Sequence, residues 1–161
     1  MGDFKVVGNL DSDGVINHIA VTVANPGSGN KFYFDGSYTD CIHFIPGLTY
    51  RFDLSDSTTS SHPFKFSTTS DGTHNSGSEY TTGVTVSGSQ GNPAAYVQID
   101  IEQDSPTTLY TYCGSHSGMG GSIVVGKNAN LLNGLDASHY LNYNNFSNTP
   151  ADSIVMAIAL G

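Results

Sequence analysis

The sequence predicts an all-β sandwich, and three observations carry that prediction. Short runs rich in Val, Ile, Phe and Tyr alternate with polar residues at a period of two. Clusters of Gly, Pro, Asn, Asp and Ser punctuate those runs at short intervals. Only 12% of residues are charged while 19 are glycine, a mix that favours strands and turns over helices. A chain of 161 residues is long enough for one domain with a substantial core and short for two.

Asp3 to Gly8 reads as a short strand, followed by an Asp11-Ser12-Asp13-Gly14 turn. Ile16 to Val23 alternates as a strand. Asn25 to Asn30 is a Pro/Gly loop, and Lys31 to Phe34 is a strand closed by the turn signal Asp35-Gly36. Cys41 to Ile45 is a strand stopped by Pro46-Gly47. Leu48 to Leu54 alternates cleanly, with Leu48, Tyr50, Phe52 and Leu54 on one face. Ser55 to Ser61 is a polar loop that leads into His62-Pro63-Phe64-Lys65-Phe66, another strand. Ser67 to Gly91 reads as a long polar loop with Val84 and Val86 as its apolar anchors, and loops of this length are often functional. Ala95 to Glu102 alternates, setting Val97, Ile99 and Ile101 against Tyr96, Gln98 and Asp100. After the Asp104-Ser105-Pro106 turn, Thr107 to Tyr112 is a strand, Cys113 to Gly121 a tight Gly/Ser loop and Ser122 to Val125 a last strand. Roughly eight strands with regular turn signals suit a two-sheet sandwich or barrel.

The composition shifts beyond Lys127 towards Asn, Ser and Ala. A short helix is expected near Asp136 to Tyr143. The apolar run Ser153 to Leu160 reads as a last strand, an interface segment or the cut edge of a longer protein. The organisation predicted is therefore a sandwich over residues 1–127 and a C-terminal extension over 128–161 without an assigned role, with no internal repeat.

A net charge of −9 with only five Lys and Arg leaves no basic footprint for nucleic acid. An anionic membrane surface is disfavoured for the same reason, and no segment approaches the length of a transmembrane helix. Met1-Gly2-Asp3-Phe4-Lys5 lacks the apolar stretch of a secretory leader, so either the chain stays inside a cell or a leader has been removed. A basic protein partner is compatible with the acidity. Cys41 and Cys113 are open to a disulfide by sequence alone, but the neighbours of Cys113 favour a metal role, which leaves Cys41 as a small apolar core residue.

The chemically informative stretch is Tyr110-Thr111-Tyr112-Cys113-Gly114-Ser115-His116-Ser117-Gly118-Met119-Gly120-Gly121. A thiolate, an imidazole and a thioether fall within seven residues, Cys113 to Met119. Copper favours such a set, above all when a second imidazole joins it. His62 is the best candidate for that imidazole, because it stands where a polar loop meets a strand, far away in sequence. The Gly and Ser spacers let the loop wrap a metal without steric cost. Zinc suits Cys and His as well. The loop holds one Cys, so the two-Cys requirement of a binuclear copper centre is not met.

Tyr-x-Tyr-Cys-x-x-His-x-x-Met-Gly-Gly followed by Ile-Val-Val resembles the C-terminal copper loop of the cupredoxins, such as plastocyanin and pseudoazurin. The short His-x-x-Met spacing is most similar to amicyanin. The resemblance spans about Phe32 to Val125, and Ser61-His62-Pro63-Phe64 with Thr69-Ser70-Asp71-Gly72-Thr73-His74 is similar to cupredoxin-like domains of marine bacterial and phage proteins. It implies a Greek-key β-sandwich and one mononuclear copper ion held by His62, Cys113, His116 and an axial Met119. It also implies that His116 is the solvent-edge electron port. Pro63 departs from the family pattern, because the residue after the first His is usually an Asn whose backbone N–H bonds the Cys sulfur. The expected consequence is a lower reduction potential.

The function expected is one-electron transfer with a redox partner protein, and no enzymatic chemistry. The resemblance favours the periplasm, a thylakoid lumen, or an extracellular or virion setting. The alternatives are a structural or adhesive module of a larger surface or virion assembly, and copper storage or delivery. Asp71, His74 and Glu79 share the long polar loop, where a second metal site is conceivable but simple solvation is expected. His18, His43 and His139 lack ligand-like neighbours. No Ser-His-Asp arrangement, phosphate loop or paired-carboxylate signature stands out.

Overall fold

The computed structural model describes residues 9–10, 16–126, 131–132 and 135–136. The chain divides between Gly126 and Lys127 into two units.

The first unit holds eleven described strands in two mixed sheets. They are β1 (Asn9–Leu10), β2 (Ile16–Ala24), β3 (Lys31–Phe34), β4 (Ser37–Tyr38), β5 (Cys41–Phe44), β6 (Thr49–Asp53), β7 (Phe64–Ser67), β8 (Val84–Ser87), β9 (Tyr96–Asp100), β10 (Thr108–Cys113) and β11 (Ser122–Val125). The larger sheet runs β4-β3-β2-β6-β9-β8, with β1 also paired to β2. The smaller sheet runs β5-β11-β10-β7. Most neighbours are antiparallel, but β2 lies parallel to β6 and β5 parallel to β11.

Period-two alternation decides which face each strand buries. Ile19 and Val21 of β2, Phe32 and Phe34 of β3, Tyr50 and Phe52 of β6, and Val97 and Ile99 of β9 turn inward from the larger sheet. Ile42 and Phe44 of β5, Phe64 and Phe66 of β7, Leu109 of β10 and Ile123 of β11 meet them from the smaller one. Phe52 sits at the centre of an aromatic cluster that bridges the sheets. Its ring centroid is 4.8 Å from that of Phe64, 5.6 Å from Phe66 and 5.8 Å from Phe34. Edge-to-face and tilted pairs of this kind add to the area they bury.

The Asp35-Gly36 signal folds as read. Both residues have positive φ (49° and 73°), which a two-residue type I′ hairpin turn requires, and the turn joins β3 to β4. β4 went unread because two residues carry no period. The long polar loop read over 67–91 needs correction. It contains a 3₁₀ turn, η2 (Gly72–Asn75), and the edge strand β8 paired with β9. β8 is a four-residue run, Val84-Thr85-Val86-Ser87, whose alternation is too short to stand out among Gly, Ser and Thr; Val84 is half-buried and Val86 is 64% exposed. A second 3₁₀ turn, η1 (Ser57–Thr59), lies in the 55–61 loop, capped by Asp56, whose carboxylate accepts the Thr58 N–H at 2.9 Å.

In the second unit, β12 (Leu131–Leu132) pairs antiparallel with β13 (Leu135–Asp136). Asp136, where a helix was expected to begin, thus belongs to a hairpin strand. The rest of that expected helix, the 153–160 run, His139 and the expected 3–8 strand lie outside the described residues. Among the described residues, no helix is long and apolar enough to cross a membrane.

Candidate metal centre

Two adjacent antiparallel strands of the smaller sheet build the site. Cys113 ends β10, directly opposite Phe64 at the start of β7. The residue two places before Phe64 is His62, so pairing β7 with β10 brings together two side chains that are 51 residues apart. The loop between β10 and β11, the two central strands of the sheet, then returns His116 and Met119 to the same end.

His62 is fixed from behind. Its N–H donates to the Thr59 carbonyl (2.9 Å), and Thr59 is itself buried with its hydroxyl donating to Leu54 O (2.9 Å) and Asp56 O (2.8 Å). The imidazole is buried, with Nδ1 facing Cys113 Sγ at 3.8 Å. Nε2 faces the Asn30 side-chain amide at 3.4 Å. The facing Asn30 atom is Nδ2, which only donates, so in this contact Nε2 accepts; ligation through Nδ1 needs the ring proton on Nε2 and the Asn30 amide turned to present its oxygen. Burial, and then the nearby His116, hold the His62 pKa below its ordinary value, which keeps the ring neutral and able to coordinate.

Cys113 is fully buried, and its thiol is free, as is that of Cys41; the disulfide left open by the sequence does not form. The Ser115 N–H donates to Cys113 Sγ at 3.4 Å. His116 Nδ1 stands 3.6 Å from the same sulfur, and the His62 and His116 rings lie 4.7 Å apart between centroids. One donor atom from each of His62, Cys113 and His116 lies within 4.8 Å of the other two. His62 and Cys113 are buried and His116 is exposed. Met119, the fourth residue read from the sequence, is 2% exposed and belongs to the same buried cluster as Cys113; its carbonyl accepts the Phe32 N–H at 3.1 Å.

Two imidazoles, one cysteine sulfur and a buried thioether on one sandwich form a soft, mixed N/S set, which fits a single copper ion. Pro63 supplies no N–H to the sulfur. Its carbonyl instead accepts the Gly114 N–H at 2.7 Å and so ties the start of the loop to the His62 side.

The remaining candidates separate clearly. Cys41 Sγ and His43 Nε2 lie 3.8 Å apart on β5, and among the described residues they are not part of a cluster of three His, Cys or carboxylate donors. Glu79 pairs with Lys65. Asp71 and His74, expected to be solvated, are turned onto the Cys113–Met119 loop. Sequence reasoning missed this contact; the only signal was the length of the segment they share.

The fold is a β-sandwich of two mixed sheets, as the resemblance to the cupredoxins implied, and His62, Cys113 and His116 meet at one end of it. No protein-family model matches the chain, and no curated protein does. Solved structures similar to it include rusticyanin from Thiobacillus ferrooxidans, at 16% identity and a TM-score of 0.44 over 76% of this chain and 88% of that one. Reduced rusticyanin is similar at 18% identity and a TM-score of 0.40, over 74% and 88%.

Proposed function

We propose that this chain is a mononuclear copper protein that exchanges single electrons with a partner protein and catalyses no bond-making reaction. The observation that carries the reading is the convergence of His62 Nδ1, Cys113 Sγ and His116 Nδ1 within 4.8 Å, with only His116 reaching solvent. Copper held there would supply a one-electron couple; the chain's own residues hold the donors still and control access to them. The β7–β10 ladder fixes Cys113, and the η1 segment fixes His62. Burial keeps water from the sulfur, while the Ser115 N–H stabilises its negative charge. His116, on the exposed edge, is where a partner would dock. Because Pro63 adds no second N–H, the thiolate is more electron-rich than it would be beside an amide donor, which favours the oxidised metal and lowers the potential.

The test is to add Cu(II) to metal-free wild type and to Cys113→Ser and record visible absorption, then cycle the wild type with reductant and oxidant. An intense thiolate-to-copper band, absent in Cys113→Ser, that bleaches and returns is the expected result. Folded, reduced wild type without such a band would overturn the copper reading and leave a metal-free sandwich for binding or assembly. A band that bleaches and does not return would favour copper storage.

A further inference from the structure

We propose that Asp71 and His74 are positioning residues, which latch the Cys113–Met119 loop in its donor-ready shape before any metal arrives. The inference rests on the reading of this loop as the copper loop.

The segment joining β7 to β8 is built as a platform. The Ser67 hydroxyl donates to the Ser78 carbonyl (2.7 Å), and the Tyr80 N–H donates to Phe66 O (2.7 Å), so the returning end of the segment is pinned to β7, from which it started. Within it, η2 lies flat on the ring of Tyr112, the residue before Cys113. A Cβ added at Gly72 would stand 2.6 Å from that ring, closer than any side chain can approach. The platform is thus in register with β10 and, through it, with the thiol.

Three hydrogen bonds run from this platform to the donor loop. His74 Nε2 donates to the carbonyl of Cys113 at 2.8 Å; a carbonyl oxygen only accepts, so that nitrogen carries the proton. The Asp71 carboxylate uses both oxygens, Oδ1 accepting from the Gly118 N–H (2.8 Å) and Oδ2 from the Ser117 hydroxyl (2.5 Å). The contacted residues are Cys113, Ser117 and Gly118. They bracket His116 on both sides and reach the residue before Met119. From the opposite side the Lys31 ammonium donates to the Gly118 carbonyl, so the exposed tip of the loop is gripped twice. Charge-assisted bonds of this kind are short and directional.

Asp71 is one of four described non-glycine residues with a positive φ, alongside Asp35, Ser76 and Ala94. Its φ is 59°, in the left-handed region that a residue with a Cβ adopts at a cost of roughly 1 kcal/mol or more. Asp tolerates that region better than most residues, and here its side chain does work that a glycine could not. From that backbone the carboxylate meets Ser117 and Gly118. The donor loop carries Gly and Ser at four of the five positions between Cys113 and Met119, so it has little stiffness of its own.

Two pairs of variants separate positioning from mere stability. Asp71→Gly removes both acceptors while relieving the left-handed backbone, and Asp71→Asn keeps the backbone preference and one acceptor. His74→Ala removes the donor, and His74→Gln keeps an N–H at a similar reach. Thr73→Ala is the control: it is exposed like His74 and on the same turn, but none of the three bonds to the donor loop comes from it. Copper affinity should fall about 10- to 100-fold in Asp71→Gly and His74→Ala, less in Asp71→Asn, and return towards wild type in His74→Gln. The visible band should shift in the same order. In metal-free protein, alkylation of Cys113, followed peptide by peptide, should accelerate about 5- to 30-fold in Asp71→Gly and His74→Ala. Wild-type affinity, band and alkylation in both of those variants would overturn the proposal, as would an equal effect in Thr73→Ala. If wild type binds no copper, the reading of the site fails instead, and the alkylation rates alone decide the latch. Should Asp71→Gly not fold, the two His74 variants decide it.

Discussion

Gly120 is the position where one methyl group should cost the most. A Cβ built there would lie 1.8 Å from the Thr111 carbonyl oxygen and 2.4 Å from its carbon, both backbone atoms of the central strand β10. Neither can swing aside. Bringing the 1.8 Å contact to the ~3.0 Å floor of real Cβ contacts needs about 1.2 Å of backbone movement. That movement acts on the two hydrogen bonds that hold the loop end to β10, from the Thr111 N–H to Gly121 O (2.9 Å) and from the Gly121 N–H to Thr111 Oγ1 (3.0 Å). Losing both costs about 2 kcal/mol, and overpacking adds about 1–3 kcal/mol. Gly120→Ala should therefore lose at least ~3 kcal/mol, or roughly 6–12 °C in melting temperature for a chain of this size. Urea denaturation of the metal-free protein measures it, with a lower midpoint and an unchanged slope. Because Met119 is the preceding residue, copper binding should weaken in the same variant. A loss below about 1 kcal/mol would mean that the strand and loop are not in the close contact described, and the reasoning would fail.

Further outcomes follow from other parts of the fold. Phe52→Ala, at the junction of four aromatic rings and 0% exposed, should cost about 3–5 kcal/mol, and a loss under ~2 kcal/mol by the same assay would contradict the central place given to that ring. Burial raises the Tyr50 pKa above 10.0, so the folded state keeps a proton that the unfolded chain releases; stability is then full below pH 10 and declines as pH rises further. Tyr50→Phe should make that alkaline decline shallower, and an unchanged slope would count against it. The Lys65–Glu79 pair is about one-third exposed at both ends, so a double-mutant cycle should give no more than ~1 kcal/mol of coupling, weakened further by salt.

The alternation of Leu48 to Leu54 and of Val97 to Ile101 made the buried faces readable, because period two survives in any strand with one face on a core. The donor loop was readable for a different reason: Cys113, His116 and Met119 are close in sequence, and their residue types are rare together. His62 needed its position at a strand edge to be chosen among six histidines. What stayed hidden was pairing. β8 lies at an edge, and its Val84 and Val86 alternate with Thr85 and Ser87 over too few residues to be told from the polar segment around them. Asp71 and His74 look like ordinary turn residues until β7 and β10 are laid side by side. Their partners are a backbone carbonyl, a backbone N–H and a serine, none of which marks a sequence.

The order of strands in the smaller sheet also sets a timetable. β5 has only β11 as a neighbour and β7 only β10, while β11 and β10 pair with each other. A chain emerging from the ribosome can assemble the ladders among β2, β3, β4, β6, β8 and β9 once Asp100 is out, yet β5 and β7 have nothing to pair with until residues 108–125 follow. Until then the inward rings of Phe44, Phe64 and Phe66 lack the two central strands that belong between them, which is the kind of exposed strand edge that aggregates. The hairpin that closes the sandwich is the same one that carries Cys113, His116 and Met119. The donor set therefore comes together only as folding completes, and a chain able to take up metal tightly is one that has already passed its most vulnerable stage.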